Sequence, residues 1–272
     1  MLSLYNKNTF IIGTDENCIF MKTKTNNFYK LFNKFLNNCY YHHLTLLQGQ
    51  YNNLKPSYSE TIKHFCFDLD GTLVDSNQTI YNATAHTLDK LGINFNVDEI
   101  EFASMIGKHF VDIFAAFDIK VPDFEKFIGI YKENYFLQME YSQLYPGVEK
   151  TLTAIKNQGA KISLLTTKVQ DQADRIIDYF NLRKYFDLVM GRRDGIAHKP
   201  SAEPLIIICK ELNIDVNKTL MVGDTELDIQ CGKNAGAKTC GVLYGYRTKE
   251  LLEVENPEYL VNSIEDIIYL KT

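Results

Sequence analysis

The sequence predicts an α/β fold with a Rossmann-like three-layer core, a parallel sheet and an inserted all-helical cap domain. Two patterns predict this fold. Beyond residue 145, short apolar strands alternate with amphipathic helices, which is typical of a parallel sheet that carries helices on both faces. Residues 77–139 have only helical periodicity, and they interrupt the alternation directly after its first strand. We therefore expect that helical block to be an insertion into the core.

The composition changes near residue 60, and this change sets the predicted domain boundaries. The N-terminal segment is rich in Asn and contains no Arg, and we predict an extension whose role the sequence does not define. Within it we expect a small hairpin formed by residues 9–12 and 18–21, and a short amphipathic helix at residues 28–36. The predicted regions are the extension at 1–60, the core at 61–76 and 145–272, and the cap at 77–144.

The predicted core begins with a short apolar strand at 64–67, whose continuous apolar character indicates burial on both faces. The other core strands are expected at 161–165, 186–190, 219–222, 238–243 and 259–261. The core helices are expected at 148–158, 169–181, 202–212, 225–235 and 263–270. The cap helices are expected at 77–91, 97–104, 109–117 and 123–139, with Pro122 separating the last two.

The charge balance limits the classes of partner. The chain has 29 basic and 34 acidic side chains, which argues against a nucleic-acid binder with a broad basic surface and leaves small anionic substrates open. No apolar run reaches transmembrane length and no secretory signal begins the chain, so we expect a cytoplasmic protein without a membrane partner. The six cysteines form no C-x-x-C pair, which indicates reduced thiols, and Cys66 and Cys209 are expected to be buried.

Two acidic motifs follow apolar strands. Asp68 and Asp70 come directly after the first strand, and Asp224 and Asp228 follow the strand at 219–222. Because ligands of open α/β sheets bind at the carboxyl ends of strands, we expect these acids to meet at one edge of the sheet. A divalent cation would stabilise their ionised forms. Taken singly, each motif is also compatible with a turn or with a helix cap, in which Asp224 caps the helix and Asp228 lies in its first turn.

Two further segments bring hydroxyl groups and positive charge to the same edge. Thr166 and Thr167 follow the strand at 161–165, and a hydroxyl with free backbone N–H groups at a helix start can hold a phosphate. A plain helix cap is the alternative there. Lys199 precedes the helix at 202–212 and would bring a fixed positive charge to an anionic centre, although by itself it favours a surface lysine.

These four segments, in this order and at these strand ends, resemble the four signature motifs of the haloacid dehalogenase superfamily, and the resemblance covers about residues 62–270. The stretches at 70–76, 145–147 and 241–246 look like the phosphoglycolate phosphatase-like branch, which carries a helical cap between the first two motifs. The last acidic motif reads Gly-Asp-Thr-x-x-Asp, one residue shorter than the family pattern. Thr167 stands where many relatives carry Asn.

The resemblance implies a magnesium-dependent phosphatase that hydrolyses a small phosphomonoester, such as 2-phosphoglycolate, through an aspartyl-phosphate. Asp68 is then the nucleophile, and Asp70 is the general acid and base. Thr166 binds the transferring phosphoryl group, and Lys199 steadies both that group and Asp68. The implied ligands of Mg²⁺ are Asp68, the backbone carbonyl of Asp70, Asp224 and Asp228.

The cap is expected to select the substrate. Lys108 and His109 follow Gly107 in a candidate substrate-binding loop, and Thr167 is a further candidate contact; a polar helix start is the alternative reading of the loop. Arg192 and Arg193 form a second basic pair, of which one or both are expected to be plain surface charge. A sugar phosphomutase or pyrophosphatase of the same fold and a non-catalytic binding protein remain alternatives. We expect a small phosphorylated metabolite as the partner, and a monomer or homodimer.

Overall fold

The computed structural model describes the backbone of three N-terminal strands and the chain from residue 62 to residue 270. The chain forms two compact units, Met1–Ser59 and Glu60–Thr272, and each is described by itself. In the first unit, the strands are β1 (Leu2–Asn6), β2 (Thr9–Thr14) and β3 (Asn17–Lys22).

Strands β1, β2 and β3 form an antiparallel sheet in that order. The pairing of β2 with β3 confirms the predicted hairpin, whereas β1 was not predicted. The helix predicted at 28–36 lies outside the described residues.

A six-stranded parallel sheet is the centre of the second unit, in the order β11-β10-β9-β4-β7-β8. The strands of this unit are β4 (His64–Phe67), β5 (Val74–Asp75), β6 (Gln143–Leu144), β7 (Lys161–Val169), β8 (Leu188–Arg192), β9 (Thr219–Gly223), β10 (Lys238–Val242) and β11 (Tyr259–Val261). Strand β4 lies between β7 and β9, so the carboxyl ends of these three strands are neighbours. This arrangement confirms the predicted α/β fold.

Nine α-helices surround this sheet and build the cap within residues 62–270. They are α1 (Asn77–Lys90), α2 (Glu99–Ala103), α3 (Phe110–Ala116), α4 (Phe124–Leu137), α5 (Val148–Asn157), α6 (Gln170–Tyr179), α7 (Glu203–Leu212), α8 (Glu226–Ala235) and α9 (Lys249–Val254). Short 3₁₀ helices occur at Met139–Tyr141, Arg183–Tyr185, Val216–Lys218 and Ile264–Tyr269. In this part of the chain, no helix is both long enough and apolar enough to cross a bilayer.

Strand β4 separates the two hydrophobic layers of the core. Phe65 and Phe67 point into a cluster that includes Leu152 of α5 and Ile176 of α6. Cys66 points to the other side, into a cluster with Leu205 of α7. Because successive side chains of a strand point to opposite faces, a strand with apolar side chains on both faces is stable only when both faces are covered. The sheet is therefore the middle of three layers.

The cap consists of α1 to α4, which lie between β5 and β6 in the chain. Its interior is aromatic, and Phe102, Phe114, Phe127 and Tyr135 are almost completely buried. Strands β5 and β6 pair antiparallel where the chain enters and leaves the cap. This pair was not predicted, because two residues per strand are too few to show a period-two pattern.

The end of strand β7 and the start of helix α6 differ from the predictions for a physical reason. Strand β7 continues to Val169 because that residue pairs with Arg192 of β8 beyond a register shift, so α6 begins only at Gln170. Residues 166–168 are therefore extended, and the helix begins one residue after the predicted start at 169. The predicted last helix is a 3₁₀ helix, and α9 was not predicted.

Candidate active site

Three buried carboxylates meet at the carboxyl edge of the sheet. Asp68 follows β4 directly, Asp224 follows β9, and Asp228 lies in the first turn of α8. One ligand atom from each lies within 4.8 Å of the others, and all three side chains are buried. The pairing of β4 with β9 brings these strand ends together, as the alternation of strands and helices predicts.

Glycine backbones enclose this acid cluster closely. A Cβ atom at Gly71 or Gly245 would overlap the Asp224 side chain, and one at Gly223 would overlap Asp228. Gly71 also has a positive φ of 83°, and its N–H donates to the Val74 carbonyl at 2.8 Å, which turns the chain sharply away from the acids. These positions therefore accept no side chain.

Lys199 supplies the positive charge next to the cluster. Its Nζ donates to Oδ1 of Asp68 and to Oδ1 of Asp228, each at 2.6 Å, and all three side chains are buried. Burial alone would lower the pKa of Lys199, but the carboxylates of Asp228 and Asp68 outweigh burial and raise it. Burial raises the pKa of Asp68 well above its ordinary range, against the lowering effect of Lys199. Lys199 is therefore held as a cation and is not a surface lysine.

The two later acids differ in their partners. Oδ2 of Asp228 accepts from the backbone N–H of Thr225 at 3.0 Å and from its hydroxyl at 2.7 Å, which forms the capping box of α8. Asp224 accepts from the Thr72 hydroxyl at 3.1 Å and from the N–H of Tyr246 at 2.9 Å. Burial, with Asp228 second, raises the pKa of Asp224 to about 7. The N-cap residue of α8 is thus Thr225, and the prediction that Asp224 caps this helix is wrong.

The carboxylate of Asp70 lies apart from this cluster. Its Oδ1 accepts from the Ser76 hydroxyl and lies 3.3 Å from Nζ of Lys168. The Lys168 ammonium in turn lies 4.2 Å from the ring centroid of Tyr135, and the Tyr246 hydroxyl is 3.1 Å from that of Ser76. Asp70 is therefore oriented by residues from the cap, the core and the strand between them.

Sequence reasoning did not assign Lys168, Ser76 or Tyr246 to the site. For Lys168 a signal was present, because residues two apart in a strand point to the same face, and Thr166 was already assigned. The strand was predicted to end at 165, and this concealed the signal. Ser76 and Tyr246 lie in loops, and their contacts depend on long-range packing that the local sequence does not show.

The predicted substrate-binding residues lie on both sides of the site. Thr166 is buried, and its Oγ1 accepts from the N–H of Lys168 at 3.2 Å. His109 is the N-cap of α3, and its Nδ1 lies 3.1 Å from Nη1 of Arg192. Because a guanidinium only donates, this contact places the ring proton of neutral His109 on Nε2. Burial, with His198 and Arg192, lowers the pKa of His109.

A cavity of about 220 Å³ lies between the cap and the core, directly above the first acidic motif. The candidate site residues that line it are Asp68, Asp70, Lys108, His109, Thr167, Lys168 and Arg192. Thr166, Lys199, Asp224 and Asp228 are not part of this lining, and the last three surround Asp68. Arg193 is exposed and donates to Gln170 and Val189, which fits the plain surface charge expected of one member of the pair.

The acid cluster fits a hard divalent cation. Asp68, Asp224 and Asp228 offer only oxygen ligands, which Mg²⁺ prefers, and their single ammonium partner is Lys199 among residues 62–270. Burial and, after it, the Asp228 carboxylate raise the pKa of Asp224, because buried carboxylates repel one another where positive charge is lacking. Asp228 accepts three hydrogen bonds and Asp224 accepts two, in each case on both oxygens, whereas Asp68 accepts one, from Lys199, among the described residues.

Comparisons with known proteins identify the family of the chain. The family model of the haloacid dehalogenase-like hydrolases matches residues 65–242. A phosphoglycolate phosphatase of Aquifex aeolicus is 32% identical over 212 residues, which cover 75% of the chain and 94% of that protein. A pyrophosphatase PpaX of Halalkalibacterium halodurans is 33% identical over 206 residues, which cover 74% of the chain and 93% of that protein.

A solved structure gives the same result for the fold. A hydrolase of the haloacid dehalogenase-like family from Streptococcus pneumoniae superposes with a TM-score of 0.70 at 22% identity, covering 77% of the chain and 99% of that structure. The parallel sheet, the inserted helices and the acids at the strand ends are those of a hydrolase with a Rossmann-like core and a helical cap. The chain belongs to the haloacid dehalogenase-like hydrolases, in the phosphoglycolate phosphatase-like branch, and is an enzyme of the phosphatase type.

Proposed function

We propose that this phosphatase depends on Mg²⁺ and hydrolyses a small phosphomonoester through a phosphoryl group carried on Asp68. The observation that carries the proposal is the pairing of Asp68 with Lys199 at 2.6 Å, beside Asp224 and Asp228 and at the floor of the cavity. A carboxylate that lines the cavity would meet an incoming phosphate, with the Lys199 ammonium in contact with its Oδ1.

The reaction would proceed in two transfers. Asp68 attacks phosphorus, the bond from phosphorus to the leaving oxygen breaks, and Asp70 gives its proton to that oxygen. Asp70 then takes a proton from water, which attacks phosphorus and releases Asp68 and inorganic phosphate. The contacts of Asp70 with Ser76 and Lys168 support this role, because they hold its carboxylate on the cavity side, apart from the acid cluster.

The other side chains would hold the phosphoryl group and the ion. Lys199 would offset charge on the phosphoryl oxygens, and the Thr166 hydroxyl would donate to them, with Thr167 beside it. When bound, Mg²⁺ would neutralise further charge on the substrate and orient it. The proposed ligands are Asp68, the backbone carbonyl of Asp70, Asp224 and Asp228.

The cap at 77–144, inserted into a core at 61–76 and 145–272, would select the leaving group. Lys108 and His109 support this proposal, because both line the cavity opposite Asp68. We further propose a small phosphorylated metabolite in the cytoplasm as the partner of a monomer or homodimer. Neither a membrane nor a nucleic acid would be bound, and the extension at 1–60 is left without a role.

The first substrate to test is 2-phosphoglycolate, and pyrophosphate is the second because several relatives are named pyrophosphatases. Free phosphate released from each, and from an aryl phosphate, would be measured with Mg²⁺. We expect Asp68→Asn to abolish release from all of them, since the amide is a poor nucleophile. Release that is unchanged in Asp68→Asn would contradict the proposal, and an isomerised sugar phosphate without free phosphate would indicate a mutase.

Removal of the metal tests the proposed cofactor separately. Thorough chelation should abolish phosphate release, and added Mg²⁺ should restore it, because the buried carboxylates otherwise repel an anionic substrate. Turnover that persists after chelation would exclude a required divalent ion.

A further inference from the structure

The lining of the cavity above Asp68 contains two chemically different groups of side chains. Three cap helices contribute the apolar group. Its members are Ile80 of α1, Phe110, Val111 and Ile113 of α3, and Phe124 and Ile128 of α4. A leaving group held beside Asp68 and Asp70 contacts this apolar wall, because the same cavity includes the two acids.

The size of the cavity is informative. A dry apolar cavity of ~150 Å³ accepts a benzene molecule, so a cavity of about 220 Å³ has room for several carbon atoms beyond a phosphoryl group. Glycolate or a second phosphate would leave most of the wall in contact with water. Burying apolar surface of the substrate there would contribute about 0.8 kcal/mol for each methylene group.

The second group of lining side chains is cationic. Lys108 and Arg192 line it, and neither forms an ion pair with a carboxylate in the part of the chain that the structure describes. Arg192 is half-buried, and its guanidinium is held in place by the contact with Nδ1 of His109. A positioned guanidinium without a carboxylate partner is suited to a carboxylate of the ligand.

From these two groups of side chains we infer that the leaving group is amphipathic, a hydroxy acid with an apolar side chain. Its carboxylate would face Arg192, and its apolar side chain would face Ile128. The inference rests on the proposed phosphatase function and narrows its substrate class. The phosphate ester is cleaved as described above, and the hydroxy acid leaves with the proton from Asp70. Pyrophosphate has no part that would contact the apolar wall.

A substrate series on the full-length protein tests this inference. The series consists of 2-phosphoglycolate and the phosphates of 2-hydroxy acids with methyl, ethyl and propyl side chains, whose leaving oxygens are chemically similar. We expect kcat/KM to rise about fourfold with each added carbon until the cavity is filled. Equal kcat/KM along the series, or the highest value for 2-phosphoglycolate or pyrophosphate, would overturn the inference.

Matched variants locate the effect. Ile128→Thr should lower the ratio of kcat/KM between the propyl substrate and 2-phosphoglycolate about fivefold, whereas Ile130→Thr, on the same helix but outside the cavity lining, should keep the ratio. Arg192→Gln should lower the ratio between 2-phosphoglycolate and ethyl phosphate about tenfold. Equal ratios in Ile128→Thr and Ile130→Thr would count against the contact of the apolar side chain with Ile128. An unchanged ratio in Arg192→Gln would count against the contact of the carboxylate with Arg192.

Different results would refute the proposed function and the amphipathic leaving group. Phosphate release from no ester, or release that does not depend on Asp68, would refute the proposed function. Release that depends on Asp68 but is flat along the series would refute only the amphipathic leaving group. If a variant does not fold, the series on the native protein still decides.

Discussion

The two ends of strand β4 bury polar side chains, but the partners at each end differ in charge. At the amino end, the ring of His64 contacts hydroxyls of the neighbouring strands, with Nδ1 3.1 Å from Thr219 and Nε2 2.7 Å from Ser163. At the carboxyl end, Asp68 meets Lys199 and two further acids. The first end is neutral and satisfied by hydrogen bonds, whereas the second has more negative than positive groups.

The two ends of β4 therefore have different roles. Burial lowers the pKa of His64 to about 4, against a raising effect of Asp187, so the ring is neutral at neutral pH and serves only to join three strands. A buried surplus of negative charge is costly for a protein, and such arrangements cluster at functional sites. The amino end of the strand therefore contributes to stability, and the carboxyl end is the place of the proposed cation and phosphate.

The largest effect is expected from removing the ammonium at the carboxyl end. Lys199→Met should lower the free energy of unfolding by about 3–5 kcal/mol, because Asp68 and Asp228 lose their shared partner, and should reduce phosphate release to background. Urea denaturation and a phosphate assay measure the two effects. Lys218→Met is the control, since its pair with Asp215 is on the surface and should contribute less than about 1 kcal/mol. Similar losses in both variants would contradict the comparison.

A smaller effect is expected at the amino end. The unfolded chain protonates His64 near pH 6.5 and the folded chain only near pH 4, so the unfolded state binds more protons between these values. The contribution of His64 is thus complete above pH 6.5 and is lost as the pH falls toward 4. Between pH 7 and pH 5 this loss should amount to about 2 kcal/mol.

The matched variants for this prediction are His64→Asn, which cannot titrate, and His86→Asn, which changes an exposed ring. Urea denaturation at pH 7 and pH 5 should show a smaller decrease for His64→Asn than for the native protein, and the native decrease for His86→Asn. The same pH dependence in all three proteins would show that His64 is not the titrating group.

The smallest effect concerns the affinity for the cation. Because burial and Asp228 raise the pKa of Asp224 to about 7, a proton would compete with the proposed Mg²⁺ for this carboxylate below that pH. The apparent affinity should be constant above pH 7.5 and should fall by up to about tenfold per pH unit below 6.5. Mg²⁺ titrations followed by the shift in Tm would measure it. An affinity that is unchanged between pH 8 and pH 6 would show that Asp224 is not among the ligands.

The sequence was sufficient to predict the sheet and the acids, because their signals are local. An apolar strand followed by Asp68 and Asp70, and another followed by Asp224, identifies two strand ends, and the geometry of parallel sheets brings them together. The partners of Asp70 could not be predicted in the same way. Ser76 meets Tyr246 across 170 positions of the chain, and only the packed fold makes them neighbours.

The extent of β7 was missed for a related reason. A strand that continues past a register shift is defined by its neighbour β8, and residues 166–168 alone do not show whether that neighbour extends as far. The cap was predicted as helical from its periodicity, but the apolar wall of the cavity depends on which helix faces are turned toward the core. Periodicity gives a face for each helix without giving the direction in which it points.

The pairing of β5 with β6 has a consequence for how such an enzyme can change over time. The chain leaves the core beside Val74 and returns beside Leu144, and these two residues are paired. Because the two exits are already neighbours, the segment between them can be lengthened, shortened or exchanged without altering the path of the core. New specificities can thus be acquired by recombination at this junction, while the glycine-lined acids stay as they are.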